Sequence, residues 1–185
     1  QVLVQQMGLV PGNRVLLRAP NSPMLAACWF AVVKAGGIAV GSMPLLRAKE
    51  LTDIVTKARI THALCDARLA EALDRRLAAE LALAAADCPG LREVRHFHDD
   101  GAAGLEAAMS AFNGRFDNVD TAADDVCLMS FTSGTTAVPK ATLHFLRDVI
   151  AAAACWPPSA ARSPPSTPTS GRWRRRRPRS RGSSR

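Results

Sequence analysis

The sequence predicts an α/β fold, a layered sheet with flanking helices and a disordered C-terminal tail, on three observations. Short runs rich in Val, Leu and Ile alternate with segments of helical period as far as Cys155, the pattern of strands joined through helices. An apolar run, Val126-Cys127-Leu128-Met129, leads straight into a loop crowded with hydroxyls. At Pro157 the composition changes character within two residues.

The chain opens on Gln1 in what reads as the middle of a helix leading to Met7 and Gly8, so its start is expected to be a cut. Leu9 to Asn13 is a turn, and Arg14-Val15-Leu16-Leu17-Arg18 after it is a short strand. Ser22 can cap a helix that has Pro23 at its first position. Leu25, Cys28, Trp29, Val32 and Val33 then recur at helical spacing until Gly36-Gly37 stops them. Ile38 to Val40 is a second strand, Leu51, Ile54, Val55 and Ala58 mark an amphipathic helix, and Thr61 to Cys65 is a third strand ending at Asp66.

From Ala67 to Ala86 alanine and leucine dominate, with Leu69, Leu73, Leu77 and Leu81 on one stripe. Glu71, Asp74, Arg75 and Arg76 lie away from it, as on a surface helix that covers a sheet. Leu91 to Phe97 reads as a strand broken by His98-Asp99-Asp100-Gly101. Ala102 to Phe112 reads as a helix, and Asn113 to Asp125 as an acidic linker in which Asp124-Asp125 serve as a solvated loop or cap. Beyond the hydroxyl-rich loop, Ala141 to Phe145 can extend and Leu146 to Cys155 can form a helix.

A hydrophobic content of 48% over 185 residues suits a globular chain, but the average conceals the tail. Residues 157–185 hold 9 Arg, 6 Pro and 7 Ser with no acid and no Leu, Ile, Val, Phe or Met, so they cannot build a core. Removing those 9 from the 24 basic residues leaves 15 against 16 acidic, a formal charge of −1 for residues 1–156. The net charge of +8 therefore says nothing about partners of the folded part. The expected division is a folded unit over 1–156 and an Arg/Pro/Ser-rich tail over 157–185. Every residue type in that tail can be written with GC-rich codons, as a frame shift near Trp156 would produce. The competing reading is a basic arm whose Trp173-Arg174-Arg175-Arg176-Arg177 binds nucleic acid or other acidic surfaces without specificity.

Cys28, Cys65, Cys88, Cys127 and Cys155 are widely spaced, odd in number and mostly within apolar segments, so they are expected to be reduced core thiols. No C-x-x-C, signal peptide or long apolar span is present, and a cytoplasmic location is the expectation. His96 and His98 with Asp99-Asp100 lack a third metal-ligating partner at a fixed spacing and read as an exposed turn.

The chemistry is concentrated in Phe131-Thr132-Ser133-Gly134-Thr135-Thr136-Ala137-Val138-Pro139-Lys140. Hydroxyls and freed backbone N–H groups donate to phosphate oxygens, glycine permits close approach, and lysine supplies a positive charge. It is not a G-x-x-x-x-G-K-[ST] loop, because Pro139 stands for the second glycine and Ala141 for the magnesium-binding hydroxyl. Neither G-x-G-x-x-G nor a G-x-S-x-G elbow about Ser133 is present.

Thr132 to Thr136 and Val138 to Lys140 resemble, in order, the T-S-G-T-T-G-x-P-K-G signature of adenylate-forming enzymes, with Ala137 and Ala141 where glycine is usual. Lys34-Ala35-Gly36 to Val40, with Met43-Pro44-Leu45-Leu46 and Glu50-Leu51, is similar to a second segment of that family. The variant Gly41-Ser42-Met43-Pro44-Leu45-Leu46-Arg47-Ala48-Lys49-Glu50-Leu51, with His144 four residues after the lysine, is most similar to the aryl-CoA ligase branch, and within it to 2-aminobenzoate- and benzoate-CoA ligases.

The resemblance implies a partial N-terminal subdomain of the adenylate-forming fold. It implies a reaction in which a carboxylate attacks the α-phosphate of ATP to give an acyl-adenylate, from which coenzyme A displaces AMP, with Mg2+ neutralising the phosphates. Thr132, Ser133, Gly134, Thr135, Thr136 and Lys140 would hold the β- and γ-phosphates, and His144 would lie near the acyl site. The family's aromatic-Gly-x-Thr-Glu motif, ribose-binding aspartate, hinge and distal lysine are absent from this sequence. The chain by itself is expected not to turn over. A small-molecule carboxylate, ATP and CoA are the expected partners of an intact parent, with no specific nucleic acid and no membrane.

Overall fold

The computed structural model describes residues 1–68, 76–132 and 140–155, the side chains of 76–78 excepted. Its strands are β1 (Arg14–Arg18), β2 (Ile38–Ser42), β3 (His62–Asp66), β4 (Glu93–Phe97), β5 (Val126–Thr132) and β6 (Lys140–Phe145). The helices are α1 (Pro23–Lys34), α2 (Ala48–Ala58), α3 (Arg76–Ala86), α4 (Leu105–Met109) and α5 (Leu146–Cys155), preceded by a π-helical turn over Val2–Gln6. Among the described residues one sheet has the order β4-β3-β1-β2-β5-β6. The first five strands are parallel and β6 is antiparallel to β5.

Alternation along the strands sends side chains to two separate cores. Val15 and Leu17 of β1, with Ala39, Leu64 and Phe97, meet Cys28 and Val32 of α1, Leu105 and Ala108 of α4, and Val2, Leu3, Met7 and Leu9 from the start of the chain. Leu16, Val40, Ala63, Cys65 and Met129 point the other way, against Leu51, Ile54, Val55 and Ala58 of α2 and Leu81 and Ala84 of α3. Covering both faces explains why β1 and β3 read as continuous apolar runs rather than alternating ones.

Local chemistry sets the element ends. Ser22 Oγ accepts from Leu25 N at 3.1 Å with Pro23 at the first helical position, as the sequence predicts. Gly36 follows α1 at φ +73°, and a Cβ there would lie 3.0 Å from Val119 Cγ1, so a side chain is excluded both by conformation and by space. At α2, Glu50 reaches back to Arg47 N at 2.9 Å.

Several expected elements change length. The helix predicted from Ala67 does not begin there: Ala67 and Arg68 form a turn, because the Asp66 carboxylate accepts from Arg68 N at 3.0 Å and competes with a helical start. Helix is described from Arg76 to Ala86. Leu69, Glu71, Leu73, Asp74 and Arg75 lie outside the described residues, as do the side chains of Arg76 and Leu77. Leu81 is buried as expected. The predicted helix over 102–112 shortens to Leu105–Met109, and β5 continues through Phe131 to Thr132 instead of yielding to the loop at Phe131. Cys28, Cys65, Cys88 and Cys127 are buried free thiols; Cys155, at the end of α5, is exposed.

Candidate functional site

β5 and β6 form a hairpin whose partners are Leu128↔His144, Ser130↔Thr142 and Thr132↔Lys140. Residues paired in this way share a face. Thr132 and Lys140 therefore stand opposite each other as the two posts of the loop 133–139, at the carboxyl end of the parallel sheet. Ser133, Gly134, Thr135 and Thr136 lie outside the described residues. Both posts are exposed, so the Lys140 ammonium and the Thr132 hydroxyl are open to an anion from solvent.

Below the posts the same face carries Ser130, Thr142 and His144. His144 is half-buried, with Nε2 3.3 Å from Thr142 Oγ1, and its carbonyl accepts from Cys127 Sγ at 3.7 Å. Thr142 Oγ1 also donates to the Ser130 carbonyl at 3.3 Å. One polar face thus runs from His144 to Lys140. Sequence reasoning names its ends but misses Ser130 and Thr142, although the period of two through Lys140, Thr142 and His144 could have found the latter.

Three further groups fix the neighbouring carboxyl-end turns. Arg18, 1% exposed at the end of β1, donates from its guanidinium to the carbonyls of Met43 at 3.3 Å and Leu46 at 2.9 Å. Burial lowers its pKa, against the opposing pull of Cys65 and Glu80. Glu80 of α3 accepts from Ala48 N, so the turn between β2 and α2 is clamped from two sides. That clamped turn follows β2, the strand beside β5.

The third is Asp66, buried at the end of β3, which accepts from Arg68 Nη2 at 2.8 Å and faces His98 Nδ1 at 3.2 Å. Burial alone would raise its pKa, but the Arg68 and His98 hydrogen bonds outweigh it and hold the carboxyl below its usual value. His98 is accordingly tied into the fold rather than lying free in an exposed turn. Its backbone N–H donates to Glu106 Oε1 at 2.7 Å, while His96 is exposed. Asp124 pairs with Arg147, and Asp125 Oδ2 accepts from Ala122 N at 2.8 Å, which fits the expected loop and cap roles.

The sheet winds both ways: α1 leaves β1 onto one core and α3 follows β3 onto the other. Ligands of such sheets settle outside the carboxyl ends, where the winding reverses. Here the charges at that reversal, Arg18 and Asp66, are engaged within the protein. Among the described residues, the β5–β6 hairpin also sets exposed polar groups, Thr132 and Lys140, at the carboxyl edge.

The sequence profile of the AMP-binding enzyme family matches residues 1–169. This chain belongs to the AMP-binding enzyme family. Within that family it is 33% identical over 142 residues to the anthranilate–CoA ligase of Pseudomonas aeruginosa, covering 77% of this chain and 26% of the relative. It is 29% identical over 153 residues to a 3-hydroxybenzoate–CoA/4-hydroxybenzoate–CoA ligase of Thauera aromatica, covering 78% of this chain and 27% of that protein. The fold superposes on the crystal structure of the anthranilate CoA ligase AuaEII in complex with anthranoyl-AMP with a TM-score of 0.70 at 22% identity, over 83% of this chain and 28% of the other. The chain therefore spans about a quarter of the length of these AMP-binding relatives. The α/β layered sheet expected from sequence is the fold of the N-terminal part of the adenylate-forming enzymes, and the aryl-CoA ligases are among its homologues. Among the described residues no helix is long and apolar enough to cross a membrane.

Proposed function

We infer that this chain carries the phosphate-gripping part of an acid–thiol ligase that activates an aromatic carboxylate, of the 2-aminobenzoate or benzoate type, with ATP and passes the acyl group to CoA. The observation that carries the reading is the pairing of Thr132 with Lys140 across the mouth of the loop 133–139, at the carboxyl end of a parallel sheet. In that role Thr132, Ser133, Thr135, Thr136 and the backbone at Gly134 donate to the β- and γ-phosphate oxygens. Lys140 opposes their charge, and fixed donors lower the cost of charge developing as pyrophosphate departs.

Mg2+ would supply further neutralisation between the phosphates. The exposed Thr132 hydroxyl suits a phosphate contact rather than a metal cage, and among the described residues no group of three carboxylates, histidines or cysteines could hold a cation. In this reading His144, which shares the strand face of Lys140, would lie near the acyl site. The folded unit is taken as residues 1–156 and the basic tail as 157–185, although the family match continues to residue 169. The aromatic substrate class is supported by the printed activities of the relatives, and the absence of turnover by this chain alone by the quarter of their length that it spans.

The test is calorimetric titration of the 185-residue chain with magnesium pyrophosphate and magnesium ATP, beside an assay for anthranilate-dependent pyrophosphate release. Binding that weakens about tenfold in Lys140→Met, a loss of roughly 1.4 kcal/mol, with no pyrophosphate released, is the expected result. Affinity unchanged by Lys140→Met and Thr132→Val would remove the phosphate-loop reading. Measurable pyrophosphate release would overturn the expectation that the chain is inactive.

A further inference from the structure

β4 is the outermost strand on the side of the sheet away from the β5–β6 hairpin, and among the described residues β3 is its only strand neighbour. Its backbone phase is fixed. Glu93 N donates to the Thr61 carbonyl at 3.4 Å and the Phe97 carbonyl accepts from Ala67 N at 2.9 Å, so residues 93, 95 and 97 direct their backbone groups to β3. Val94 and His96, in the alternate phase, turn their N–H and C=O groups to the open edge. Such an edge accepts another strand unless its side chains forbid it.

The side chains of β4 forbid most self-pairings and fit one. Glu93 is exposed and Val94 and Arg95 are half-buried. The Glu93 carboxylate has no hydrogen-bond or ionic partner among the described residues, and Arg95 Nη1 makes an exposed bond to Gln6 Oε1 at 3.3 Å. An antiparallel copy of β4 set about a two-fold axis at Val94 makes Val94 a hydrogen-bonded pair with its own copy, which uses the outward backbone groups. The adjoining pairs then place Glu93 against Arg95 of the second copy, and Arg95 against its Glu93, at the closer spacing of non-hydrogen-bonded pairs. Centring on Glu93 or on Arg95 would oppose like charges, and centring on His96 would set Arg95 against Phe97. Apolar surface is available on either side of the strand. α4 packs on its Phe97 face and α3 on its Val94 face, and each carries an exposed apolar side chain, Met109 at 48% and Leu83 at 56%.

We propose that β4 is a self-association edge, on which a second copy of this chain adds its own β4 antiparallel in the register centred on Val94, so that two copies share one continuous sheet. The occupant is chosen by self-complementarity: the strand carries one unpaired carboxylate and one guanidinium two residues apart, the spacing that a two-fold axis between them converts into two ion pairs. Charges on an edge strand ordinarily discourage pairing, and here they select its register. The seam lies at the edge opposite β6, so the hairpin with Lys140 and His144 stays open in both copies. The proposal is independent of the phosphate-loop reading.

The test is sedimentation velocity of the 185-residue chain at rising concentration, with amide hydrogen exchange on the same samples. A monomer–dimer equilibrium is expected, with exchange at Val94 and His96 slowing as dimer accumulates. In Glu93→Arg and in Arg95→Glu, each alone, the dimer dissociation constant should rise about tenfold or more, because two like-charge pairs replace two ion pairs. An equimolar mixture of the two variants should associate about as tightly as the parent, since both arginines of one chain meet both glutamates of the other. Mixing cannot repair a damaged fold, so this rescue reports the register. A parent chain that stays monomeric at every concentration, with unchanged exchange at Val94 and His96, overturns the proposal. So does a dimer indifferent to both substitutions, or a mixture of folded variants that associates no more tightly than either alone.

Discussion

The middle of the sheet and its β6 edge are built to opposite rules. β3, β1 and β2 are parallel, covered on both faces and closed by helices that bury their apolar stripes. The β5–β6 hairpin and α5 are half-open, present their polar face to solvent and bury no residue of the helix. Stability resides in the first region and the candidate chemistry in the second. A loop that must admit and release an anion needs exposed donors, which a closed core cannot offer.

The sharpest way to break that contrast is to cut the same size of side chain from each side. Leu16→Ala, at a fully buried position in the central strand, is expected to cost about 3 kcal/mol, and Ile150→Ala less than about 0.5 kcal/mol. Urea denaturation of both variants checks this, and equal losses would mean that α5 is packed in solution. Next in size is Arg18→Met, which removes two donors from the turn carbonyls of Met43 and Leu46 and leaves Glu80 without its nearby buried cation. A loss of about 2 kcal/mol is expected by the same measurement, with hydrogen exchange of the turn between β2 and α2 accelerated.

Acid and alkali separate the two regions as well. Burial pushes the Cys28 thiol up to about 12 and the Cys65 thiol up to about 11, against an ordinary value of 9.0. The unfolded chain therefore releases these protons first, and stability should fall as pH rises from 9 toward those values, by up to about 1.4 kcal/mol per pH unit for each thiol. Thermal melts of Cys28→Ala and Cys65→Ala should show a shallower alkaline decline than the parent. Asp66 works in the opposite sense. Its folded pKa is depressed, so its contribution is present above the unfolded value and is lost as pH falls through the folded one. Asp66→Asn should flatten the acid limb of the stability profile. The smallest effect on stability belongs to Lys140→Met, expected within about 0.5 kcal/mol although anion affinity falls, because the residue is exposed.

The order of strands and helices was legible because each buried element announces its period. Val15 to Leu17 reads as an apolar strand, and Leu51, Ile54, Val55 and Ala58 as one face of a helix. The cap at Ser22 and the stop at Gly36 follow from side-chain chemistry within a few residues. Where sequence misjudged a boundary, a nearby side chain competed: Asp66 captures Arg68 N and keeps a turn where alanine and leucine favour helix. The loop posts were legible as residue types. That Thr132 faces Lys140, and that Ser130, Thr142 and His144 share their face, depends on the register of β5 with β6, including the irregularity between Val126 and Leu128.

Sequence by itself thus determined the α/β class, the element order and the family, and it named the candidate loop residues, because these rest on local periodicity and an ordered motif. Only the tertiary structure decided the strand order, the division into two cores, the clamp by Arg18 and the Asp66–Arg68–His98 cluster. Those join residues far apart in the chain, and the free energy of burying a charge depends on which distant groups arrive to meet it.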